Sequence, residues 1–333
     1  MESSIKISFI IPVFNRPKEV EELLSSMEAQ SLTDFEIIIV EDGSSEKCEE
    51  VVQKYKNRIS VQYFYKDNSG PGQSRNYGAE KATGNYFVFL DSDCVLPPDY
   101  FKIIFNQLLL NYKDAFGGPD MAHTDFSDLQ KAINYSMTSF FTTGGIRGGS
   151  EKLGKFHPRS FNMGYSRKVF EKTGGFSTMR FGEDIDMSIR IIKAGFSTSL
   201  IKEAAVYHKR RTSLIQFYKQ VMNSGIARIN LYKRHPESLK IIHFTPALFV
   251  LGLILCLAAS FFCLSLVILP LFYAFVLLFD ATLKNKSFRV GCLSLAAGFI
   301  QLFGYGVGFI RAFWKRIILK EGEFEAFKNN FYK

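Results

Sequence analysis

The sequence predicts an α/β fold, in which a mostly parallel sheet is flanked by helices and followed by C-terminal transmembrane or re-entrant helices. Two observations support this prediction. Residues 1–200 alternate short apolar runs with helical patterns, which is typical of a parallel sheet covered on both faces. Residues 244–279 and 290–310 contain no charged residue, and each run has the roughly 20 residues that a membrane-crossing helix needs.

The elements of the first part follow from these patterns in chain order. Runs rich in β-branched and aromatic residues predict strands, and segments with helical spacing predict helices between them. The strands are expected at Ile7–Val13, Phe35–Val40, Ser60–Tyr65 and Tyr86–Leu90, and the helices at Glu19–Gln30, Glu46–Tyr55 and Gly72–Lys81. Parallel strands end at one edge of the sheet, where open α/β folds bind ligands.

Two carboxylates, Asp91 and Asp93, directly follow the apolar strand Tyr86–Leu90. Carboxylate oxygens at a sheet edge suit a hard divalent cation such as Mg²⁺ or Mn²⁺, which could in turn neutralise a diphosphate. The alternative is that both residues only form the turn that ends the strand.

Three earlier segments predict contacts to a nucleotide at the same edge. The backbone around Pro12 and Phe14 could cradle a base or ribose. Asp42 could accept a hydrogen bond from the imide N–H of a pyrimidine, and an Asp-Gly turn that only ends the strand is the alternative. Arg75 follows a Gly-Pro-Gly stretch and could bind a phosphate or stack on a base.

A further acidic group opens a predicted amphipathic helix that runs to Lys193. It contains Glu183, Asp184 and Asp186. Acidic residues favour a helix N-terminus in any case, so capping is the alternative explanation. The loop that contains Gly174 and Gly175 precedes the group and could turn it toward the sheet edge.

Together these motifs resemble the family 2 glycosyltransferases, over roughly residues 5–210. The resemblance implies a GT-A fold and an inverting transfer of a sugar from a nucleotide-diphosphate donor, aided by a divalent metal. It implies that Asp42 reads the base, that Arg75 contacts the donor, and that Asp91 and Asp93 serve the ribose, diphosphate and metal. Asp184 matches the family's general base, and Glu183 would orient the acceptor or the loop.

Two further features refine the resemblance. His208 stands where some relatives have a histidine that helps to hold metal, although a structural histidine is the alternative. The Gln/Arg-x-x-Arg-Trp sequence of processive members is absent, and Trp314 is the only tryptophan. The addition of one sugar per cycle is therefore expected.

The charge distribution predicts a membrane partner. The net charge is +9, and many of the positive residues flank the apolar runs, as the positive-inside rule requires. A nucleic-acid partner is not expected, because no basic and aromatic stacking pattern appears in the first part of the chain. No secretory signal is recognisable at the start, so the catalytic part is expected in the cytosol, at the inner face of the membrane.

We therefore expect two domains. Residues 1–240 would form the cytosolic catalytic domain, ending in a basic juxtamembrane segment at 202–240. Residues 241–333 would form the membrane domain, with two passes in 244–279, a third apolar segment at 290–310 and a basic tail. Possible breaks in the first apolar run are Pro270 and the small residues 258–260. The segment from His123 to Arg159, which contains four closely spaced glycines, is expected to be irregular.

The acceptor is expected to be lipid-linked, in the assembly of a surface polysaccharide or glycolipid. Transfer directly to a polyprenyl phosphate is the alternative within the same class, with the basic residues 209–211 binding the acceptor phosphate. A membrane-anchored module that binds a nucleotide sugar without turnover is the alternative from a different class.

Overall fold

The computed structural model describes residues 5–121, 125–144 and 157–327. The backbone divides into two compact units. The first comprises Met1–His123 with Glu151–Lys209, and the second comprises Thr124–Ser150 with Arg210–Lys333. The catalytic domain was expected to extend to residue 240. Residues 210–240 instead group with the C-terminal helices, because the long helix in this stretch shares a core with them.

The first unit is built on a seven-stranded sheet. Its strands, with those of a smaller sheet, are β1 (Ile7–Val13), β2 (Phe35–Asp42), β3 (Val61–Lys66), β4 (Tyr86–Leu90), β5 (Cys94–Val95), β6 (Ala115–Gly117), β7 (Asp120–Met121), β8 (Asn162–Ser166), β9 (Thr198–Leu200) and β10 (Val206–His208). The large sheet has the order β3-β2-β1-β4-β8-β6-β9. The first four strands of this order are parallel, and β8 is antiparallel to both of its neighbours.

Helices cover both faces of this sheet. They are α1 (Pro17–Glu28), α2 (Glu49–Tyr55), α3 (Pro71–Lys81), α4 (Tyr100–Leu110), α7 (Arg167–Thr173) and α8 (Glu183–Lys193). The helices numbered α5 and α6 belong to the second unit. Alternating residues of β1 face opposite sides, so Phe9 and Ile11 pack in one apolar core while Ile10 packs in the other. The predicted mostly parallel sheet flanked by helices is confirmed.

A three-stranded sheet with the order β5-β10-β7 adjoins the end of β4. Strand β10 is antiparallel to β5, in a register that pairs His208 with Cys94. This pairing brings His208, near the end of the first unit, next to the carboxylates Asp91 and Asp93 that follow β4.

The second unit is helical. Its helices are α5 (Asp128–Thr138), α6 (Phe140–Thr143), α9 (Leu214–Arg234), α10 (Thr245–Ala259), α11 (Ile268–Asn285) and α12 (Phe288–Phe313). Helix α5 begins with a capping box between Ser127 and Gln130, so part of the segment expected to be irregular is helical. Residues 123–124 and 145–156 of that segment lie outside the described residues.

Among the described residues of the second unit, three helical stretches are long and apolar enough to cross a membrane. They are Ile241–Ala259, Leu264–Asn285 and Phe288–Ile318. The first apolar run thus contains two helices, and the break falls just after the small residues 258–260. Pro270 does not break the chain, because it lies in the first turn of α11, where a missing N–H costs little.

Candidate active site

The carboxylate of Asp91, directly after β4, is held by Arg75 of α3. The Nη2 atom of Arg75 donates to Asp91 Oδ1 at 2.7 Å, and its Nη1 atom donates to Glu183 Oε1 at 3.1 Å. The guanidinium is almost completely buried. Arg75 therefore connects the end of β4 to the start of α8, because its two terminal nitrogens bind Asp91 and Glu183.

The start of α8 is also positioned through the loop that precedes it. The amide group of Asn76 donates to Phe176 O and accepts from Phe176 N, both at 2.8 Å. The Phe176 ring lies 5.3 Å from the Arg75 guanidinium. Gly175 has a φ of +72°, and a Cβ there would lie 2.3 Å from Asn76 Oδ1, so a side chain would break this arrangement.

Asp184, the expected general base, is paired with a residue that the sequence did not indicate. The Nε atom of Arg159 donates to Asp184 Oδ2 at 2.6 Å, and the backbone N–H of Ile185 donates to Oδ1 at 2.8 Å. Burial alone would raise the pKa of Asp184, but the Arg159 guanidinium and the Ile185 hydrogen bond hold it below the ordinary value. The carboxylate is therefore ionised.

The neighbouring Glu183 behaves in the opposite way. Burial, and then the charge of Asp184, raise the pKa of its carboxyl above the ordinary value, although Arg75 opposes this. Two adjacent buried carboxyls thus have pKa values that are pushed apart, which is a common feature of acid and base sites.

Asp93 lies among positive and imidazole groups. The Nε2 atom of His208 is 3.2 Å from Asp93 Oδ1 and 3.8 Å from Asp91 Oδ2. The His208 ring stacks on Phe161 with a centroid distance of 5.1 Å, which fixes the orientation of the imidazole. Arg16, at the start of α1, forms an ion pair with the other oxygen of Asp93.

These side chains fit a divalent cation. Ligand atoms of Asp93, His208 and Cys94 lie within 4.8 Å of one another, and Asp91 is close to the same imidazole. Carboxylate oxygens with one imidazole nitrogen form a donor set that suits Mn²⁺, and the oxygens also suit Mg²⁺. Burial raises the pKa of the Cys94 thiol well above its ordinary value, and a protonated thiol is a poor ligand, so we regard Cys94 as a packing group.

Asp42 forms a separate hydrogen-bonded group at the same edge of the sheet. Its carboxylate accepts from the backbone N–H of Ser69 and of Gly70, each at 2.9 Å, and from Lys66 Nζ at 2.5 Å. These bonds tie the end of β2 to the loop that leads into α3. A nucleotide base that donated to Asp42 would have to share a carboxylate that already accepts three hydrogen bonds.

Pro12 lies in β1, opposite Val40 of β2, and Phe14 follows the strand as a half-buried residue. The next residue, Asn15, has a φ of +53°, and its side chain accepts from the backbone N–H of Ser45 and Glu46. The loops after β1 and β2 are therefore joined.

The structure thus brings Asp91, Asp93, Arg75, Glu183 and His208 into one connected group, with Asp184 adjoining it through Glu183. Sequence reasoning missed Arg16 and Arg159. Arg16 follows the segment around Pro12 and Phe14 that was assigned to the nucleotide base, and this position is only a weak indication of a role in the site. Arg159 lies in the segment expected to be irregular, where no pattern pointed to it.

Comparisons with known proteins agree with this fold. Residues 8–174 match the family described as Glycosyl transferase family 2. An uncharacterized glycosyltransferase of Rickettsia felis is 34% identical over 143 residues, which is 42% of this chain and 23% of that protein. The poly(ribitol-phosphate) β-N-acetylglucosaminyltransferase TarS of Staphylococcus aureus is 36% identical over 102 residues, which is 29% of this chain and 18% of that protein. The matched parts are thus less than a quarter of either relative's length.

A solved structure supports the fold over most of the chain. The mannosyltransferase PcManGT of Pyrobaculum calidifontis, in complex with GDP-Man and Mn²⁺, superposes with a TM-score of 0.64 at 16% identity. The match covers 93% of this chain and 88% of that one. It shows that the two proteins share a fold.

Proposed function

The chain belongs to glycosyl transferase family 2, and on that premise we propose that it transfers a single sugar from a nucleotide-diphosphate donor to a lipid-linked acceptor. The observation that supports this most strongly is the connection of Asp91, Arg75 and Glu183 across the sheet edge. It joins the carboxylates proposed for the donor to the helix start that carries the proposed base, Asp184.

The proposed reaction is a direct displacement with inversion. An acceptor hydroxyl attacks the anomeric carbon, its proton passes to Asp184 Oδ2, and the bond from the anomeric carbon to the diphosphate oxygen breaks. The nucleoside diphosphate leaves with that electron pair. Asp184 is suited to the task because its carboxylate is ionised, although Arg159 must release Oδ2 before a hydroxyl can approach it.

Asp93, Asp91 and His208 would hold a divalent cation, which would neutralise charge on the departing diphosphate when bound. The contribution of the chain itself is to fix these ligands. Arg75 orients Asp91, and Phe161 orients the His208 ring by stacking. Arg75 is too deeply buried between two carboxylates to wrap around a phosphate, so we propose that it positions other residues instead of binding the donor directly.

We propose a uridine nucleotide as the donor, with Asp42 accepting from the imide N–H of the base. The Lys66 ammonium forms an ion pair with the Asp42 carboxylate and orients it, and Pro12 of β1 and Phe14, which follows that strand, would line the base. Asp42 already accepts three hydrogen bonds, so the imide N–H would share its carboxylate with these donors.

A lipid-linked acceptor and attachment at the cytosolic face of the membrane are proposed from the apolar helices of the second unit. The alternative acceptor, a polyprenyl phosphate itself, would attack with an ionised phosphate oxygen in place of a sugar hydroxyl, so Asp184 would have no proton to remove from it. The two acceptors can be separated by supplying them individually.

The test is donor hydrolysis and transfer by the full chain in detergent, across uridine and guanosine diphosphate sugars, with Mn²⁺ or Mg²⁺ and a lipid extract. We expect product with one uridine donor, dependent on added metal and on the lipid. Donor binding without turnover in any lipid fraction would instead indicate a binding module. Turnover restricted to guanosine donors would overturn the assignment of Asp42.

A further inference from the structure

The geometry of the second unit determines which of its apolar helices are able to cross a membrane. Helices α10 and α11 form an antiparallel hairpin. Phe249 and Tyr273 are in ring contact at 5.4 Å, and further along the Cys256 thiol donates to Leu266 O at 3.2 Å. The start of α10 and the end of α11 therefore lie at the same end of the hairpin, which we call its base.

Helix α12 runs across this base. Near its start, a Cβ at Gly291 would lie 2.1 Å from Thr282 Oγ1, close to the end of α11. Near its end, Phe309 is in ring contact with Phe244, at the start of α10, at 5.2 Å. Both ends of α12 thus contact the base of the same hairpin.

The middle of α12 agrees with this course. Phe299 is in ring contact with both Phe249 and Tyr273, at 5.8 Å each. A Cβ at Gly306 would lie 2.4 Å from Pro246 O, in the first turn of α10. The contacts of α12 therefore rise along α11 only as far as Tyr273, and they then pass to α10 and return to its first residues.

A helix that crossed beside the hairpin would look different. The stretch from Gly291 to Phe309 is about 27 Å long at 1.5 Å per residue, close to the hydrocarbon thickness of roughly 30 Å. Such a helix would bring Phe309 to the level of the hairpin tip. The tip residues Phe261, Phe262 and Leu264 are instead 80–96% exposed.

The neighbours of α12 support the same conclusion. Ala297 of α12 packs in one core with Ile133 of α5 and Phe217 of α9, so other helices of the unit cover much of its surface. Within an 18-residue apolar window of each candidate span, the buried share is 44% for the span that contains α12, 17% for the span that contains α10 and 11% for the span that contains α11. The hairpin has the exposed apolar surface of a lipid-facing element, and α12 does not.

We propose that α12 lies along the membrane interface at the base of the hairpin, and that only α10 and α11 enter the hydrocarbon core. This inference rests on the membrane attachment proposed above. Arg289 at the start of α12 and Arg311 and Lys315 at its end then face headgroups on one side of the membrane, as the positive-inside rule requires. A crossing α12 would separate these cations onto opposite sides.

The test is the sidedness of two introduced cysteines in the full chain. Lys286→Cys marks the connection before α12, and Gly322→Cys marks the chain after it, where an added Cβ meets nothing within 4 Å. The background carries Ser in place of Cys256, Cys263 and Cys292, and it keeps the buried Cys48 and Cys94. Cells are treated with a membrane-impermeant maleimide before and after permeabilisation.

We expect the two cysteines to react identically, both only after permeabilisation. Reaction of one in intact cells and of the other only after permeabilisation would overturn the inference. Identical reaction in intact cells would keep the inference and overturn the cytosolic placement of the catalytic unit.

A second measurement separates this inference from the proposed attachment. The membrane pellet is washed with alkaline carbonate, and a variant with Cys263 as its only non-buried cysteine is labelled at the hairpin tip. Retention in the pellet, with Cys263 protected from a maleimide added on the catalytic side, supports the attachment. Release of the protein by the wash would overturn the attachment, and the interfacial placement of α12 with it.

Discussion

The Nε atom of Arg159 donates a 2.6 Å hydrogen bond to the Oδ2 atom of Asp184, so the proposed base is held ionised by a cation that also covers it. The two residues are separated by the segment that contains β8 and α7. The pair explains how a buried carboxylate keeps a low pKa next to Glu183, whose pKa is raised.

Replacing Arg159 with Gln should shift the acidic limb of the pH–rate profile to higher pH. Asp184 acts only when it is unprotonated, Arg159 lowers its pKa, and burial alone would raise it. The measurement is the initial rate of transfer at saturating donor between pH 4.5 and 8. An unchanged acidic limb would contradict the assignment of that limb to Asp184.

Replacing Arg75 with Met should destabilise the first unit strongly, by about 3–5 kcal/mol, because Asp91 and Glu183 would lose the cation between them. Thermal unfolding in detergent measures the loss. Lys18→Met, an exposed position in α1, is the matched control and should change the midpoint little. A midpoint for Arg75→Met equal to that of the control would contradict the positioning role.

Replacing Arg16 with Ala should raise the affinity for Mn²⁺ in the absence of donor. The Arg16 guanidinium occupies one oxygen of Asp93 and therefore competes with a cation for it. A partly exposed ion pair contributes about 1 kcal/mol, so we expect roughly a fivefold gain, measured by the electron paramagnetic resonance signal of free Mn²⁺. Lys18→Ala removes the same charge without touching Asp93. Equal affinities in the two variants would count against the metal assignment.

Replacing Gly225 with Ala should lower the stability of the second unit. A Cβ at Gly225 of α9 would lie 2.2 Å from Tyr305 O of α12, so the helices must separate, at a cost of roughly 1–3 kcal/mol. Gly252→Ala in α10 is the control, because a Cβ there meets nothing within 4 Å and alanine favours a helix. The comparison uses thermal unfolding midpoints. Equal midpoints would mean that α9 and α12 do not pack this closely.

The sheet and one edge of the site could be predicted from the sequence. Apolar runs with abrupt polar ends define β1 and β4 to the residue, and the rule that parallel strands end at one edge places Asp91 with Asp42. The ends of helices were less certain. For example, α2 was expected from Glu46 and begins at Glu49, because local propensity changes little across a helix start.

The partners of the site residues could not be predicted. Arg16 and Asp93 are 77 residues apart, and they meet only because β1 and β4 are neighbours in the sheet. Local patterns do not encode such pairings. The sequence left α12 open between a transmembrane and a re-entrant helix, since an apolar helix that crosses a membrane and one that lies across a hairpin base have similar composition.

The central claim is that Asp184 removes the acceptor proton, and the most direct measurement compares Asp184→Asn with the unaltered chain in both donor binding and sugar transfer. We expect donor affinity within about twofold of the unaltered chain, because Asn preserves size and Asp184 does not contact the proposed donor edge. We expect transfer to fall by about 10²–10⁴-fold, the usual contribution of a general base. Transfer that persists at near the original rate would contradict the account.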